Sequence, residues 1–273
     1  MGSNVQAQGV ANLLSDIVRF FPSPEYRECV GINRKTNEIF EAHHDFAAAK
    51  TAYVFKTMVD PFIGKYSFVK VCSGVLKGDD VLYNPESDAE AKIGKIYTLS
   101  GNKPVEVQEL FAGDIGAIAK LTSTKTGDTL STKNTPVSYG RTEYSKPYTY
   151  MKYVVNNKGD EDKVSQALAK MMAEDVTLKV VNDSENRQSL IYGMGDQHLE
   201  VTASKLAERY KVGIRLETPK VAFRETIRKN SDVDTKYKKQ SGGHGQYGHV
   251  KMRFEPSGDL DTPYVFQEEV VGG

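Results

Sequence analysis

The sequence predicts a multidomain α+β protein: an antiparallel β-barrel, then a ferredoxin-like βαββαβ sandwich, then an incomplete third α+β unit. Three observations support this class. The length of 273 residues exceeds the roughly 100 to 200 residues of a typical single domain. Residues 50–134 contain short alternating apolar runs separated by turn signals, and residues 147–218 follow the order strand, helix, strand, strand, helix, strand.

The composition is that of a folded globular protein, with 39% hydrophobic and 26% charged residues. Apolar stretches are interrupted every few residues by Lys, Asp or Gly, so we expect no membrane segment. Two cysteines, Cys29 and Cys72, are too few for a disulfide framework or a four-ligand zinc site. We therefore expect a cytoplasmic protein.

We expect the first 24 residues to contain a cloning remnant followed by one amphipathic helix. Met1 to Asn4 lacks the charged and apolar regions of a secretory signal. Residues at helical spacing in the next segment are Val10, Leu13, Leu14, Ile17, Val18 and Phe21. Prolines at positions 22 and 24 end this pattern. Because the apolar face has no partner nearby in the sequence, we expect a helix that packs on an absent domain.

Residues 25–49 are polar and show no sustained period, which predicts an extended linker. Between 50 and 134, runs such as Phe68–Val71 and Val81–Tyr83 alternate, with turn signals about every 8 to 12 residues. We expect a small closed β-barrel here because closure leaves no exposed strand edge. Residues 135–146 are predicted to be a hinge.

The ferredoxin-like region spans 147–218. Its predicted strands are 148–155, 177–182, 189–193 and 213–217. Each of the two predicted helices has one apolar face, formed by Val164, Leu168, Met171 and Met172 in the first and by Leu199, Ala203, Leu206 and Tyr210 in the second. Residues 219–273 offer too few strands and no covering helix, which indicates an incomplete domain.

Two motifs suggest nucleotide binding but lack the necessary context. Residues 243–248 fit G-x-G-x-x-G, yet 249–254 alternates like a strand where a dinucleotide site needs a helix. A kinase would need further catalytic elements, and only 25 residues follow Gly248. Residues 157–160 fit N-K-x-D, but the sequence has no phosphate loop. We expect a strand-to-helix turn there, with Asp160 or Asp162 capping the helix.

No catalytic residue, metal site or cofactor site is predicted for this chain. The densest cluster of candidate ligands, His43-His44-Asp45, has no third ligand at recognisable spacing. His198 opens a predicted helix, where a capping or packing role is expected. No Ser, His and Asp arrangement supports nucleophilic catalysis, and no convergent titratable pocket supports a small-molecule enzyme.

One region carries an excess of positive charge. The whole chain has 36 basic and 36 acidic residues, but 220–254 has nine basic against three acidic, an excess of six. Lysines neutralise phosphates, Tyr237 and Tyr247 can stack on bases, and glycines let a backbone approach closely. These features predict an RNA-contacting loop, although a solvated hairpin with a mobile tip fits them equally.

Four segments resemble elongation factor G and related translational GTPases. These segments are residues 55–64 (FKTMVDPFIG), 193–199 (GMGDQHL), 223–227 (FRETI) and 240–250 (QSGGHGQYGHV). Their order matches the family from the last helix of its GTPase domain into its fourth domain. The resemblance covers nearly the whole chain, and the last two segments are highly specific.

The resemblance implies that the chain is a fragment of a translocation GTPase without the GTPase domain. The implied partners are the ribosome, through rRNA and ribosomal proteins, and the protein's own absent GTPase domain, with no DNA and no membrane. GTP and magnesium would belong to the full-length parent, a ribosome-activated GTPase. The motif of the third domain is Gly193, Met194, Gly195 and His198.

The fourth domain's tip loop implies a set of ribosome or RNA contacts. The residues at matching positions are Lys238, Lys239, Gln240, Ser241, Gly242, Gly243, His244, Gly245, Gln246, Tyr247, Gly248 and His249. His244 departs from the family's usual Arg and weakens the charge at the tip. Two alternatives remain open: a fragment of a tetracycline-resistance ribosomal protection protein, and a freestanding RNA-binding adaptor.

Overall fold

The computed structural model describes residues 2–3, 5–60, 64–101, 103–223, 225–240, 242–243, 245–259, 262 and 264–270. The chain divides into two compact units, Met1–Lys220 and Val221–Gly273, which are considered separately below. None of the helices in the described part of the chain has the length and apolar character that a membrane crossing requires.

The first unit begins with helix α1 (Val10–Phe20) and a short 3-10 helix (Pro24–Tyr26). The predicted amphipathic helix is confirmed, with Val10 as its first residue. It ends where the Phe21 N–H bonds the Ile17 carbonyl and Pro22 follows. No α1 residue is buried, and Val18 is 85% exposed.

In the described residues, twelve strands follow the 3-10 helix before strand β13. They are β1 (Cys29–Asn33), β2 (Ile39–Ala42), β3 (Thr51–Asp60), β4 (Gly64–Ser73), β5 (Val75–Lys77), β6 (Val81–Asn84), β7 (Ala89–Lys92), β8 (Ile96–Ser100), β9 (Lys103–Val107), β10 (Glu109–Phe111), β11 (Ile115–Ala119) and β12 (Thr129–Leu130). Strand β13 (Val137–Tyr139) then pairs with β1, forming the sheet β13-β1-β2. Strands therefore lie in both segments that the sequence suggested were linker and hinge, while the division into domains stays a prediction.

The predicted antiparallel β class is confirmed, but the predicted closure of the barrel is wrong. Six strands form an open sheet in the order β12-β3-β4-β11-β8-β9, with separate ribbons β5-β10 and β6-β7. Gly74 (φ 74°) turns the chain out of β4, and Gly113 (φ 95°) turns it into β11, so the β5-β10 ribbon leaves the main sheet. Sheet and ribbons enclose one core that includes Val54, Ile93 and Leu110.

The predicted ferredoxin-like order is confirmed. Its elements are β14 (Thr149–Val155), α2 (Glu161–Glu174), β15 (Lys179–Asp183), β16 (Gln188–Gly193), α3 (Asp196–Tyr210) and β17 (Ile214–Glu217). The four strands form an antiparallel sheet in the order β15-β16-β14-β17. The helices pack on this sheet through fully buried side chains that include Leu168, Leu199 and Leu206.

A polar clamp joins β3 to the two helices of the ferredoxin-like region. One carboxylate oxygen of Glu174, at the end of α2, accepts the Val59 N–H at 2.7 Å. Arg209, near the end of α3, donates to both Glu174 oxygens at 2.8 and 3.1 Å and to the Val59 carbonyl at 2.8 Å. Both polar groups of one backbone residue are thus satisfied by an ion pair from the other region.

The second unit contains the hairpin of β18 (Ser231–Gln240) and β19 (Gly245–Phe254). Ten residue pairs run from Ser231 opposite Phe254 to Gln240 opposite Gly245, with four residues in the connection. Residues after the G-x-G-x-x-G pattern are a strand, as predicted, so the helix that a dinucleotide site needs is not at this position.

Candidate nucleic-acid interface

The pairing register gives the β18-β19 hairpin two chemically different faces. Directly opposed residues in an antiparallel pair share a face, and successive residues alternate between faces. One face carries the polar set Asp232, Asp234, Lys236, Lys238, Gln240, Gly245, Tyr247, His249, Lys251 and Arg253. The other carries the mainly apolar set Ser231, Val233, Thr235, Tyr237, Lys239, Gln246, Gly248, Val250, Met252 and Phe254. We call the first set the charged face.

Acidic residues neutralise the basic side chains at the base of the charged face. Asp234 lies 2.6 Å from His249 Nε2 and 3.3 Å from Lys251 Nζ. Hydrogen bonds from His249 and Lys251 hold the pKa of Asp234 below its usual range. Arg253 lies 2.6 Å from Glu255. Little positive charge is therefore left at this end of the hairpin.

Lysines near the connection between β18 and β19 have no acidic partner among the described residues. Among the described residues, no carboxylate lies within ion-pair distance of Lys236, Lys238 or Lys239. Tyr247 sits opposite Lys238 and is 68% exposed. Positive charge and a free aromatic ring thus converge at the tip end, a combination that suits phosphates and unstacked bases.

The structure separates the two tyrosines that the sequence proposed for base stacking. Tyr247 lies on the charged face, whereas Tyr237 lies on the opposite face with Val233, Val250 and Met252. That opposite face shows the alternation of a strand pair that packs against protein. Of the two tyrosines, Tyr247 is the one that shares a face with Lys236 and Lys238.

The tip is rich in glycine, and two of its twelve predicted contact residues, Ser241 and His244, lie outside the described residues. Gly242 has φ 78°, a conformation that side chains other than glycine rarely adopt. A Cβ added at Gly243 would meet no atom within 4 Å. The described part of the tip therefore leaves open space beside the backbone, which a close-approaching ligand can use.

The third-domain motif lies where β16 meets α3. His198 Nδ1 accepts the Met194 N–H at 3.1 Å, and His198 Nε2 lies 3.0 Å from Asp175. A Cβ at Gly193 would lie 2.7 Å from Leu199 Cδ2, so only glycine fits there without displacement. These contacts hold the turn before α3 and give His198 a packing role, whereas no side chain bonds the helix backbone at the N-cap, Gly195.

Residues 157–160 form the expected turn before α2, but the expected cap is wrong in detail. Asp160 occupies the N-cap position without a side-chain bond to the helix backbone. Its carboxylate instead lies 2.9 Å from Lys163 Nζ and 3.4 Å from Asn157 Nδ2. The Asn and Asp of the N-K-x-D pattern therefore bond each other and Lys163.

His43 and His44 contact different side chains. His43 Nδ1 lies 3.8 Å from Glu28, and the His44 ring packs edge-on against Phe46. Over the described residues, no group of three His, Cys, Asp or Glu side chains is arranged to hold a metal ion.

Sequence reasoning missed the clamp of Val59, Glu174 and Arg209. Val59 and Glu174 are 115 residues apart, and Glu174 and Arg209 are 35 residues apart. The sequence does place charged residues near the ends of two amphipathic helices. Such residues are common on solvated helix faces, so they do not by themselves predict a contact with β3.

Three family models match successive parts of the chain. Residues 49–133 match the model of elongation factor G domain 2, residues 145–218 that of elongation factor G domain III, and residues 219–273 that of elongation factor G domain IV. A crystal structure of a protein from Thermus thermophilus is similar at 31% identity and a TM-score of 0.69. The similarity covers 90% of this chain and 34% of that one, so the chain spans about a third of that protein's length.

Proposed function

The chain belongs to the elongation factor G family, and we propose that it is the ribosome-binding part of a GTPase that moves tRNA and mRNA through the ribosome. Three family models in the family's domain order support this proposal. The four sequence segments that resemble translational GTPases lie in the same regions. The expected compartment is the cytoplasm, where ribosomes translate.

The observation that carries the proposal is the charge distribution of the β18-β19 hairpin. Its base is neutralised by Asp232, Asp234 and Glu255, while Lys236, Lys238 and Lys239 near the tip have no acidic partner among the described residues. A hairpin that is only solvated would not require this segregation. Ribosomal RNA offers dense phosphates for the lysines and exposed bases for Tyr247.

GTP and magnesium would be held outside this chain. The residues of the N-K-x-D pattern do not fit guanine, because Asn157 and Asp160 bond each other. No phosphate-loop pattern occurs in the sequence. A GTPase domain of the longer protein would bind GTP, and hydrolysis of that GTP would drive the translocation cycle. The exposed apolar face of α1 would pack on that domain, which makes it the second proposed partner.

Binding to purified ribosomes at a series of salt concentrations tests the proposal. The variant Lys236→Gln/Lys238→Gln/Lys239→Gln removes the free charges, and each lost phosphate contact lowers the slope of log affinity against log salt by roughly 0.7 to 0.9. We therefore expect the slope to fall by about 2 to 3.

The matched control is Lys95→Gln/Lys133→Gln, since both lysines are exposed but paired, with Glu106 and Glu90. This control should keep the wild-type slope. A wild-type slope in the triple variant, or equal losses in both variants, would show that the hairpin is not the ribosome contact.

A further inference from the structure

The fold brings together the two cysteines, which are far apart in the sequence. Cys29 lies on β1 opposite Ala42 of β2, and Cys72 lies near the end of β4. Ala42, Cys72, Val137 and Tyr139 form a buried cluster, and Cys29 packs against it. Cys72 is 7% exposed, whereas Cys29 is partly exposed, so only one of the two thiols is accessible to a reagent in solution.

The two thiols have opposite acid-base character. Hydrogen bonding from Cys72 lowers the pKa of Cys29 to about 6; burial opposes this effect, and the charges of Lys70 and Arg27 add to it. The bond to Cys29 and burial raise the pKa of Cys72. At neutral pH, Cys29 is therefore a partly exposed thiolate beside a buried thiol.

The Tyr139 hydroxyl and the Lys70 carbonyl also interact with the Cys72 thiol. The Tyr139 hydroxyl is hydrogen-bonded to Thr51 Oγ1 at 2.7 Å, and burial raises the pKa of Tyr139, which keeps it neutral. Glu28, next to Cys29 in the chain, lies 3.8 Å from His43. The Cys72 thiol donates to the Lys70 carbonyl oxygen at 3.7 Å.

We propose that Cys29 and Cys72 form a peroxide-reactive site, with Cys29 as the attacking sulfur and Cys72 as the resolving thiol. Three features of the site support this assignment: the exposure of one sulfur, the burial of the other beside it, and the cationic side chains of Lys70 and Arg27. The site is independent of the proposed ribosome contact.

Hydrogen peroxide is the only oxidant that disulfide formation between Cys29 and Cys72 requires. The Cys29 thiolate attacks one peroxide oxygen, the O–O bond breaks, and the products are a Cys29 sulfenic acid and hydroxide. The Cys72 sulfur then attacks the Cys29 sulfur, the S–O bond breaks, and the departing hydroxide takes the Cys72 proton as water. The two sulfurs lose two electrons, which reduce the peroxide. The product is a disulfide between β1 and β4.

Intact mass spectrometry of the whole chain after treatment with hydrogen peroxide tests the proposal. We expect the monomer to lose about 2 Da, reversibly with a reductant, and a proteolytic peptide pair to carry the Cys29–Cys72 link. Cys72→Ser should instead accumulate a Cys29 sulfenic acid that a dione reagent traps. Cys29→Ser should leave Cys72 unmodified because Cys72 is buried.

The rate of alkylation of Cys29 provides a second measurement that needs no variant. At pH 6 about half of Cys29 is thiolate, about 150-fold more than in an ordinary thiol, while its lower basicity costs about 13-fold in nucleophilicity. Cys29 should therefore react about ten-fold faster than a cysteine in an unstructured peptide. An ordinary rate, an intermolecular Cys29 disulfide, or over-oxidation of Cys29 without a link to Cys72 in the wild-type chain would overturn the proposal.

Discussion

Replacing Glu174 with alanine should loosen the attachment of the ferredoxin-like region to β3. The side chain is 18% exposed, and its carboxylate accepts both the Val59 N–H and the Arg209 guanidinium. Removal leaves the Val59 N–H without its acceptor, which costs about 1 to 3 kcal/mol, and takes away the ion-pair partner of Arg209. We expect the free energy of unfolding to fall by about 3 kcal/mol in total, because hydrogen bonds to charged groups contribute about 1.5 to 3 kcal/mol each.

Urea denaturation of Glu174→Ala, Arg209→Met and the double variant measures the coupling between the two side chains. Because both residues bond Val59 and each other, we expect a coupling energy of about 1 to 2 kcal/mol. Lys163→Met is the matched control, since the Lys163 side chain, which pairs with Asp160, is 71% exposed and such a pair is worth less than about 1 kcal/mol. A coupling energy below about 0.3 kcal/mol would refute the clamp as a stabilising contact.

Three further predictions follow from single residues. Gly193→Ala should destabilise by about 1 to 3 kcal/mol because its Cβ would meet Leu199, whereas Gly195→Ala has open space; melting curves compare the two. Burial raises the pKa of Asp175, but bonds from Thr177 and the His198 charge outweigh it and lower the pKa. Asp175 thus stabilises fully above about pH 4 and less as pH falls through its folded pKa. In urea titrations, Asp175→Asn should be less stable than wild type at neutral pH, and the difference should shrink as pH falls below about 4. Gly243→Val should leave the melting temperature unchanged and weaken ribosome binding.

The ferredoxin-like region was predictable because its signals are local. Apolar residues such as Leu168 and Leu206 recur at helical spacing and are fully buried in the structure. The order of two such helices among four strands allows few topologies. The observed bounds of the strands stay close to the predicted ones.

The remaining parts depend on contacts that sequence patterns do not contain. Strands β1 and β2 were missed because each buries a single residue, Gly31 and Ala42 respectively, so no alternation is visible. The departure of the β5-β10 ribbon from the main sheet uses positive φ values at Gly74 and Gly113, which a glycine permits but does not require.

The sequence predicted the positive charge of the candidate interface but not how that charge is distributed. Nine basic residues in 220–254 were countable from the sequence, but their neutralisation at the base by Asp234 and Glu255 follows from the strand register. The register also decides that Tyr247, and not Tyr237, shares a face with Lys236 and Lys238. A shift of one residue would have exchanged the two faces.

Photo-crosslinking from the hairpin to ribosomal RNA tests the central claim most directly. A benzophenone amino acid at Tyr247, on the charged face, should crosslink ribosomal RNA when the chain is bound to ribosomes. The same amino acid at Tyr237, on the opposite face, is the control and should crosslink protein or nothing. The account would be contradicted if the Tyr247 probe, on a chain that still pellets with ribosomes, gave no RNA crosslink.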